Sequence, residues 1–402
     1  MKKCVTNDTS VTNLSAQKFG GIRENVYFCK KINAMSNMNA SYRPHDPGQD
    51  YYAPGIYLIT LVVRNRERNH ELLGRLNNDV KAPAVVLSEI GKAVEEEWEK
   101  TPVIQQARGN DLTLVAQVCM PDHWHGVVQV NKPMNKSLGH IIQYVKSSCT
   151  ARWRKITGSV LDSSSSQAIR GMSEQQRQLY YSSLPLEQQP LWDDDYDDTI
   201  CLTDANGNPD ARHFSAMTRY VEDNPRRAVI RRARPEFMRR CLHVVIGGRD
   251  YAAFGNLFLL RWARKVQVFC HRKAPDGRTP YERTDAYRRE CMEWKRMVMQ
   301  GATAIVTPGI SMGERMIKDR CIERGYPLIH LQKEAIGSYW KPELRRFEAC
   351  AGGALLILAP WKPETIGEVN GVPADTDYSI FHNLNGLAKE LCAFDGDAMI
   401  IG

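Results

Sequence analysis

Two histidines one residue apart, in "CMPDHWHGVVQV" at residues 119–130, are the side chains of this chain most suited to chemistry. Side chains alternate across a strand, so His123 and His125 share a face about 7 Å apart along the backbone, within reach of one ion. Trp124 between them is expected to point into a core. The flanking "DLTLVAQVCM" and "GVVQV" are β-branched and apolar, with Met120-Pro121-Asp122 as a break between two strands. An arbitrary pair of this kind is more often half-exposed and without a ligand, so the rest of the chain has to decide. "ARHFSAMTRYVEDNP" supplies Tyr220 and Asn224, four apart on a helix expected to stop at Pro225, and therefore on one helix face. Together the four residues could hold a divalent cation through imidazole and amide oxygen, and offer a phenol to a phosphodiester polarised by that cation. Without the histidines, Tyr220 would read as a core aromatic.

These side chains need a scaffold. "GIYLITLVVRNRERN" marks a strand from about 55 to 65. "VLSEIGKAVEEEWEK" repeats Ile90, Val94 and Trp98 at helical spacing. "KSLGHIIQYVKSSCTARWRKI" predicts an amphipathic helix from Ser137, with Leu138, Ile141, Ile142 and Val145 on one stripe. Residues 158–190 are rich in Ser and Gln and are expected to be a surface insertion. "LWDDDYDDTI" is an acidic patch, readable as a solvated loop or as a second metal locus.

At 402 residues the chain is long for one core, which favours two domains. Hydrophobic residues make up 43% and charged residues 25%, a globular balance. Lys and Arg number 54 against 46 Asp and Glu, a net charge of +8 that tilts toward a polyanionic partner. The excess concentrates in "RYVEDNPRRAVIRRARPEFMRRC", residues 219–241, where Arg226, Arg227, Arg231 and Arg232 are candidate contacts for a phosphate backbone. A solvated helix face is the competing reading. The eleven scattered cysteines contain no C-x-x-C pair, which suits reduced thiols rather than a disulfide framework. No apolar run approaches the roughly 18 residues of a membrane span. The first fifty residues are polar, lack a signal-peptide core and are expected to be a loosely ordered lead-in, so a cytoplasmic location is expected.

"MPDHWHG" resembles the P-[ND]-H-x-H signature of HUH endonucleases, and "YVEDNPRRA" resembles the Y-x-x-x-N-P-x-x-A/G element of REP-associated tyrosine transposases. The resemblance extends to the order of elements over roughly 50–235. It implies a ferredoxin-like α+β domain with the H-x-H on a central strand. It further implies Tyr220 as nucleophile, a site in which His123, His125 and Asn224 hold Mg²⁺ or Mn²⁺, and single-stranded or hairpin DNA as substrate. Cleavage would leave a 5′-phosphotyrosyl enzyme and a free 3′-hydroxyl. Tyr144, in "IIQYVKSSC", is a competing nucleophile. One tyrosine per chain allows a homodimer dividing two cleavages or a monomer acting twice.

Beyond residue 240 the pattern changes. "LHVVIGG", "KVQVFCHR", "ATAIVTPG", "PLIHLQ" and "ALLILAPW" are short apolar runs of the kind found in buried parallel strands. The expected organisation is a lead-in at 1–50, an α+β domain at 51–235 and an α/β domain at 240–402. In "VTPGISMGERM", Gly309, Ser311 and Gly313 open a helix whose amides would favour a phosphate; a ligand-free βα turn is the equal alternative. With the strand pattern this turn resembles the Rossmann-like domain of DNA-processing protein A and of lysine-decarboxylase-like proteins, although the P-G-G-x-G-T-x-x-E motif of the latter is absent. Two rival functions follow. One is a hairpin-DNA-binding regulator that does not cut; the other is a nucleotide-processing enzyme whose activity lies in the second half.

Overall fold

A computed structural model describes residues 49–159, 169, 171–204, 206–338, 340–342, 344–361, 377–396 and 398–400. The N-terminal lead-in, except its last residues, and the Ser-rich centre of the 158–190 segment lie outside them.

The first half opens with β1 (Gly55–Val62), followed by a short antiparallel pair, β2 (Gly74–Leu76) and β3 (Val85–Leu87). Helix α1 (Glu89–Gln106) is capped by Ser88, whose hydroxyl accepts from Gly91 N at 3.1 Å. The hairpin β4 (Leu112–Met120) and β5 (His123–Val130) leads to α2 (Leu138–Thr157), capped by Ser137 as the sequence predicts. Helix α3 (Glu174–Ser183) stands in the insertion. Strand β6 (Asp197–Ile200) forms from part of the acidic patch expected to be a loop. Its Asp198 is buried and accepts from the Tyr51 hydroxyl at 3.0 Å. The carbonyls of Asp193 and Asp194 each accept from Lys146 at 2.6 Å, so this stretch is anchored to α2.

The four main strands are antiparallel in the order β4-β5-β1-β6, with β1 and β5 in the centre. Alternation along β1 gives the sheet two apolar faces. Tyr57, Ile59 and Leu61 pack with Ile90, Trp98, Ile141 and Val145 of α1 and α2. On this face Trp124 stacks on Trp98, with ring centroids 4.1 Å apart and planes 4° apart. Ile56 and Leu58 face the other way, with Val127, and are covered by Met217 and Val221 of α4 (Ala211–Glu222).

Helix α4 does not end at Pro225 as expected. It stops at Glu222, and α5 (Asn224–Ala233) begins two residues later with Pro225 in its first turn. Proline lacks the N–H that a first turn leaves unused anyway, so here it starts a helix. Helix α5 joins the two halves of the chain. Val229 packs with Leu76 and Met120 of the first, and Ile230 lies in a cluster with Met238 and Phe254 of the second.

The second half contains β7 (Arg240–Ile246), β8 (Arg249–Gly255) and β9 (Arg264–Gln267). Helix α6 (Asp285–Met299) precedes β10 (Thr303–Thr307), α7 (Met312–Arg324) precedes β11 (Leu328–Leu331), and α8 (Leu344–Ala351) precedes β12 (Leu355–Ala359). Helix α9 (Asp377–Ala393) and β13 (Met399–Ile400) follow. The sheet order is β13-β7-β8-β12-β11-β10-β9. Strands β9 to β12 are parallel and hydrogen-bonded in turn. "LHVVIGG" departs from expectation: β7 and β8 form an antiparallel hairpin, turned by Gly247 and Gly248 at φ 57° and 78°. Two successive positive φ values are the conformation that a tight hairpin asks of glycine. The sheet is covered by α6, α7 and α8 on one face and by α9 on the other. None of the helices among the described residues is long and apolar enough to cross a membrane.

Candidate functional site

His123 and His125 lie on the sheet face covered by α4, since Trp124 between them faces the opposite core. The register of β1 against β5 sets Thr60 opposite His125 and Val62 opposite His123. Thr60 Oγ1 is 2.8 Å from His125 Nδ1, and Asp122 Oδ1 is 2.5 Å from His123 Nδ1. The Asp122 carboxylate only accepts, so His123 Nδ1 donates and Nε2 keeps its lone pair for another partner; His125 has the same arrangement in the tautomer whose Nδ1 donates to Thr60. Arg66 holds the other oxygen of Asp122.

The two imidazole centroids are 4.6 Å apart, closer than the backbone spacing of alternate strand residues. Burial, reinforced by His123 and by the charges of Lys341 and Arg66, pushes His125 well below the ordinary histidine value. Burial also lowers His123, against the pull of Asp122. Burial of Asp122 would raise its carboxyl, but the hydrogen bond from His123 and the pair with Arg66 outweigh it and hold the group at about 2. The site therefore contains two neutral imidazoles oriented by a hydroxyl and an ionised carboxylate.

Tyr220, on α4, brings its ring to 5.4 Å from that of His125. The guanidinium of Arg227 lies 5.6 Å from the Tyr220 ring on its own side and 4.5 Å from Phe347 of α8 on the other. Asn224, across the helix break from Tyr220, is buried, and its Nδ2 has no hydrogen-bond partner. A half-turn of the amide exchanges nitrogen for oxygen at that position, and an oxygen there would be satisfied by a cation. Among the described residues no group of three or more His, Cys, Asp and Glu could hold a metal ion, so a further protein ligand would have to be of another type, as Asn224 is. Tyr144 packs against the α1 and α2 side of the sheet with Arg108 4.5 Å from its ring, on the face away from the histidines.

The four arginines singled out in the sequence have separate surroundings. Arg226 is held by Asp223 and by Glu348 of α8. Arg227 is buried and donates to Pro342 O at 2.9 Å. Arg231 is half-buried beside a cavity, and Arg232 is exposed. The turn at Gly309, Ser311 and Gly313 holds an anion of its own. Glu314 accepts from Ile310 N at 2.7 Å and Ser311 N at 3.3 Å with one carboxylate oxygen, and from Cys270 N at 3.1 Å with the other. Of the amides expected to hold a phosphate, Ser311 N is taken by this buried side chain, in a capping box closed by Ser311, and Gly309 N by Thr307 Oγ1 at 3.1 Å.

Thr60, Arg66 and Lys341 were not singled out in the sequence. The pairing of Thr60 with His125 depends on strand register, Arg66 reaches the site through Asp122, and the charge of Lys341, from the second half, is felt by both histidines.

No family model and no curated protein matches the chain. Among solved structures it is similar to a REP-associated tyrosine transposase bound to a REP hairpin, at 13% identity and a TM-score of 0.26, over 45% of this chain and 73% of that one. A likeness at that level adds nothing to the geometry above.

Proposed function

We propose that the chain is a metal-dependent endonuclease and strand transferase of single-stranded or hairpin DNA, acting through a tyrosine of transposase type. The observation that carries this reading is Tyr220 packed beside an oriented pair of neutral imidazoles on one sheet face. The β1-α1-β4-β5-α2-β6 succession, in the order β4-β5-β1-β6, is read as a ferredoxin-like scaffold. The parallel run β9 to β12 with helices on both faces is read as the Rossmann-like partner domain.

The donors fit a divalent cation. His123 and His125 would hold it through Nε2, with the Asn224 amide as third ligand. Bound Mg²⁺ or Mn²⁺ would supply Lewis-acid polarisation of a phosphate oxygen. The Tyr220 oxygen attacks phosphorus as its proton leaves to solvent. The bond to the 3′-oxygen breaks, and that oxygen takes up a proton to become a free 3′-hydroxyl. The 5′-phosphate stays on Tyr220, and the reverse reaction rejoins strands. Thr60 and Asp122 position the imidazoles, and Arg227 sets a fixed positive charge beside the nucleophile. In the second half, the carboxylate already seated in the 309–313 turn weakens a nucleotide-processing reading of that turn.

The test is cleavage of a pool of labelled hairpins by wild type and His125→Ala, with Mn²⁺ or with EDTA. Cleavage by wild type in Mn²⁺ alone, reduced at least about 100-fold in the variant, is expected for a lost ligand. Cleavage that persists in EDTA would contradict the proposal. Binding of hairpins without any cleavage would favour the regulator.

A further inference from the structure

A cavity of about 220 Å³ lies between α5 and the second half of the chain. Arg227 and Arg231 line it from α5, Arg240 from β7, and Lys341 from the segment before α8. Phe254 and Phe347 contribute apolar walls, and no carboxylate stands among the described residues of the lining. Arg231 and Lys341 have no anionic partner among the described residues. Arg226, the neighbour of Arg227 in sequence, shows the contrast, since two carboxylates hold it. Arg231 and Lys341, set around one cavity with the buried Arg227, repel one another unless an anion is bound there.

The cavity continues the nuclease site. Arg227 belongs to its lining and also faces the Tyr220 ring at 5.6 Å. The charge of Lys341 acts on both histidines. Lys341 is exposed by surface area, yet the protein packed around its ammonium, and then Arg231, Arg227, Arg66 and Arg240, push it down to about 8. Guanidinium groups match phosphate oxygens in pairs, and an ammonium adds a point charge.

We propose that this cavity binds one phosphate of the nucleic-acid strand engaged by Tyr220, and that Lys341, from the second half, is a binding residue of the site in the first. This rests on the nuclease reading for the identity of the strand, while the cavity itself is tested by binding alone. The second half therefore completes the substrate site, in addition to any binding of its own.

The test uses the full chain carrying Tyr220→Phe, with and without Lys341→Met, and a labelled hairpin with single-stranded flanks titrated across about 50 to 200 mM KCl. Loss of one phosphate contact should reduce the slope of log affinity against log salt by about 0.7 to 0.9. Affinity at the lowest salt should fall roughly 10-fold, the thermal midpoint should be unchanged, and Lys341→Arg should restore most of the binding. An unchanged slope and affinity in Lys341→Met would overturn the proposal. So would thermal stabilisation by inorganic phosphate or a nucleoside monophosphate that is lost in Lys341→Met while the hairpin slope stays the same, because the occupant would then be a free ligand. If the protein carrying Tyr220 cuts no hairpin, the nuclease reading fails and the slope still decides the cavity. If it cuts and the slope is unchanged, the cavity proposal alone fails.

Discussion

His125 Nδ1 lies 2.8 Å from Thr60 Oγ1, and that contact selects which ring nitrogen remains free. Thr60→Val keeps the β-branched shape of a strand residue and removes only the hydroxyl. Such second partners typically set metal affinity by 10- to 100-fold, so the Mn²⁺ concentration giving half-maximal cleavage should rise by roughly that factor with the fold intact. An unchanged Mn²⁺ requirement would remove Thr60 from the site. The histidine pair was legible because alternation alone puts both side chains on one face. Thr60 was not, because its place opposite His125 depends on the register of two strands 65 residues apart. Lys341 was hidden for a similar reason, lying in another half of the chain and meeting the site only through the packing of α5.

At the scale of elements, β5 depends on Gly126 to let the Trp124 ring fold back along the strand. A Cβ at Gly126 would lie 2.1 Å from Cη2 of Trp124 and 2.4 Å from its Cζ2. Gly126→Ala should force Trp124 from its stack on Trp98 and lower the unfolding free energy by about 1 to 3 kcal/mol, measured in urea. A variant of wild-type stability would show that the ring has room to move.

Strand β11 carries His330, buried with its Nδ1 3.0 Å from Thr307 O on β10. Burial, together with Lys318 and Arg346, pushes His330 well below its ordinary value of 6.5. Below pH 6.5 the unfolded chain takes up a proton that the folded chain refuses, so stability falls with falling pH from the unfolded value down to the depressed folded one. One group of this kind contributes up to about 1.4 kcal/mol per pH unit. Urea unfolding of wild type and His330→Gln between about pH 7.5 and 5.5 should therefore converge toward acid. Parallel curves would mean that His330 is protonated in the folded state.

Strand β1, the β4–β5 hairpin and helices α1 and α2 were legible from periodicity and caps, including Ser137 at the start of α2, whereas β2, β3 and β6 were not. The break between α4 and α5 was not. Pro225 gives the same local signal whether it stops one helix or opens the next, and tertiary packing of Met217, Val221 and Val229 makes the choice. The β7–β8 hairpin was misread as parallel because an apolar run does not encode the direction of its neighbour. Its Gly247-Gly248 pair was the available signal.

At the scale of the molecule, the two halves meet along α5. Arg226 reaches Glu348 of α8, but the side chains are 34% and 53% exposed, so solvent screens the pair. A double-mutant cycle with Arg226→Ala and Glu348→Ala should give a coupling of at most about 1 kcal/mol. A coupling above about 2 kcal/mol would mean that this pair, and not the apolar contacts of Ile230 with Met238 and Phe254, holds the junction. Length favoured more than one domain, and composition gave a basic tilt. It carried no sign that the arginine-rich stretch would be divided among a carboxylate cluster, a buried contact and a cavity.

In the proposed reaction Tyr220 becomes covalently joined to DNA. The most direct measurement is the mass of the protein, and of its tryptic peptides, after incubation with hairpin DNA and Mn²⁺, for wild type and Tyr220→Phe. A nucleotide adduct on the peptide containing Tyr220, absent in the variant and absent with EDTA, is the predicted result. An adduct retained by Tyr220→Phe, on Tyr144 or elsewhere, would mean that Tyr220 is not the nucleophile.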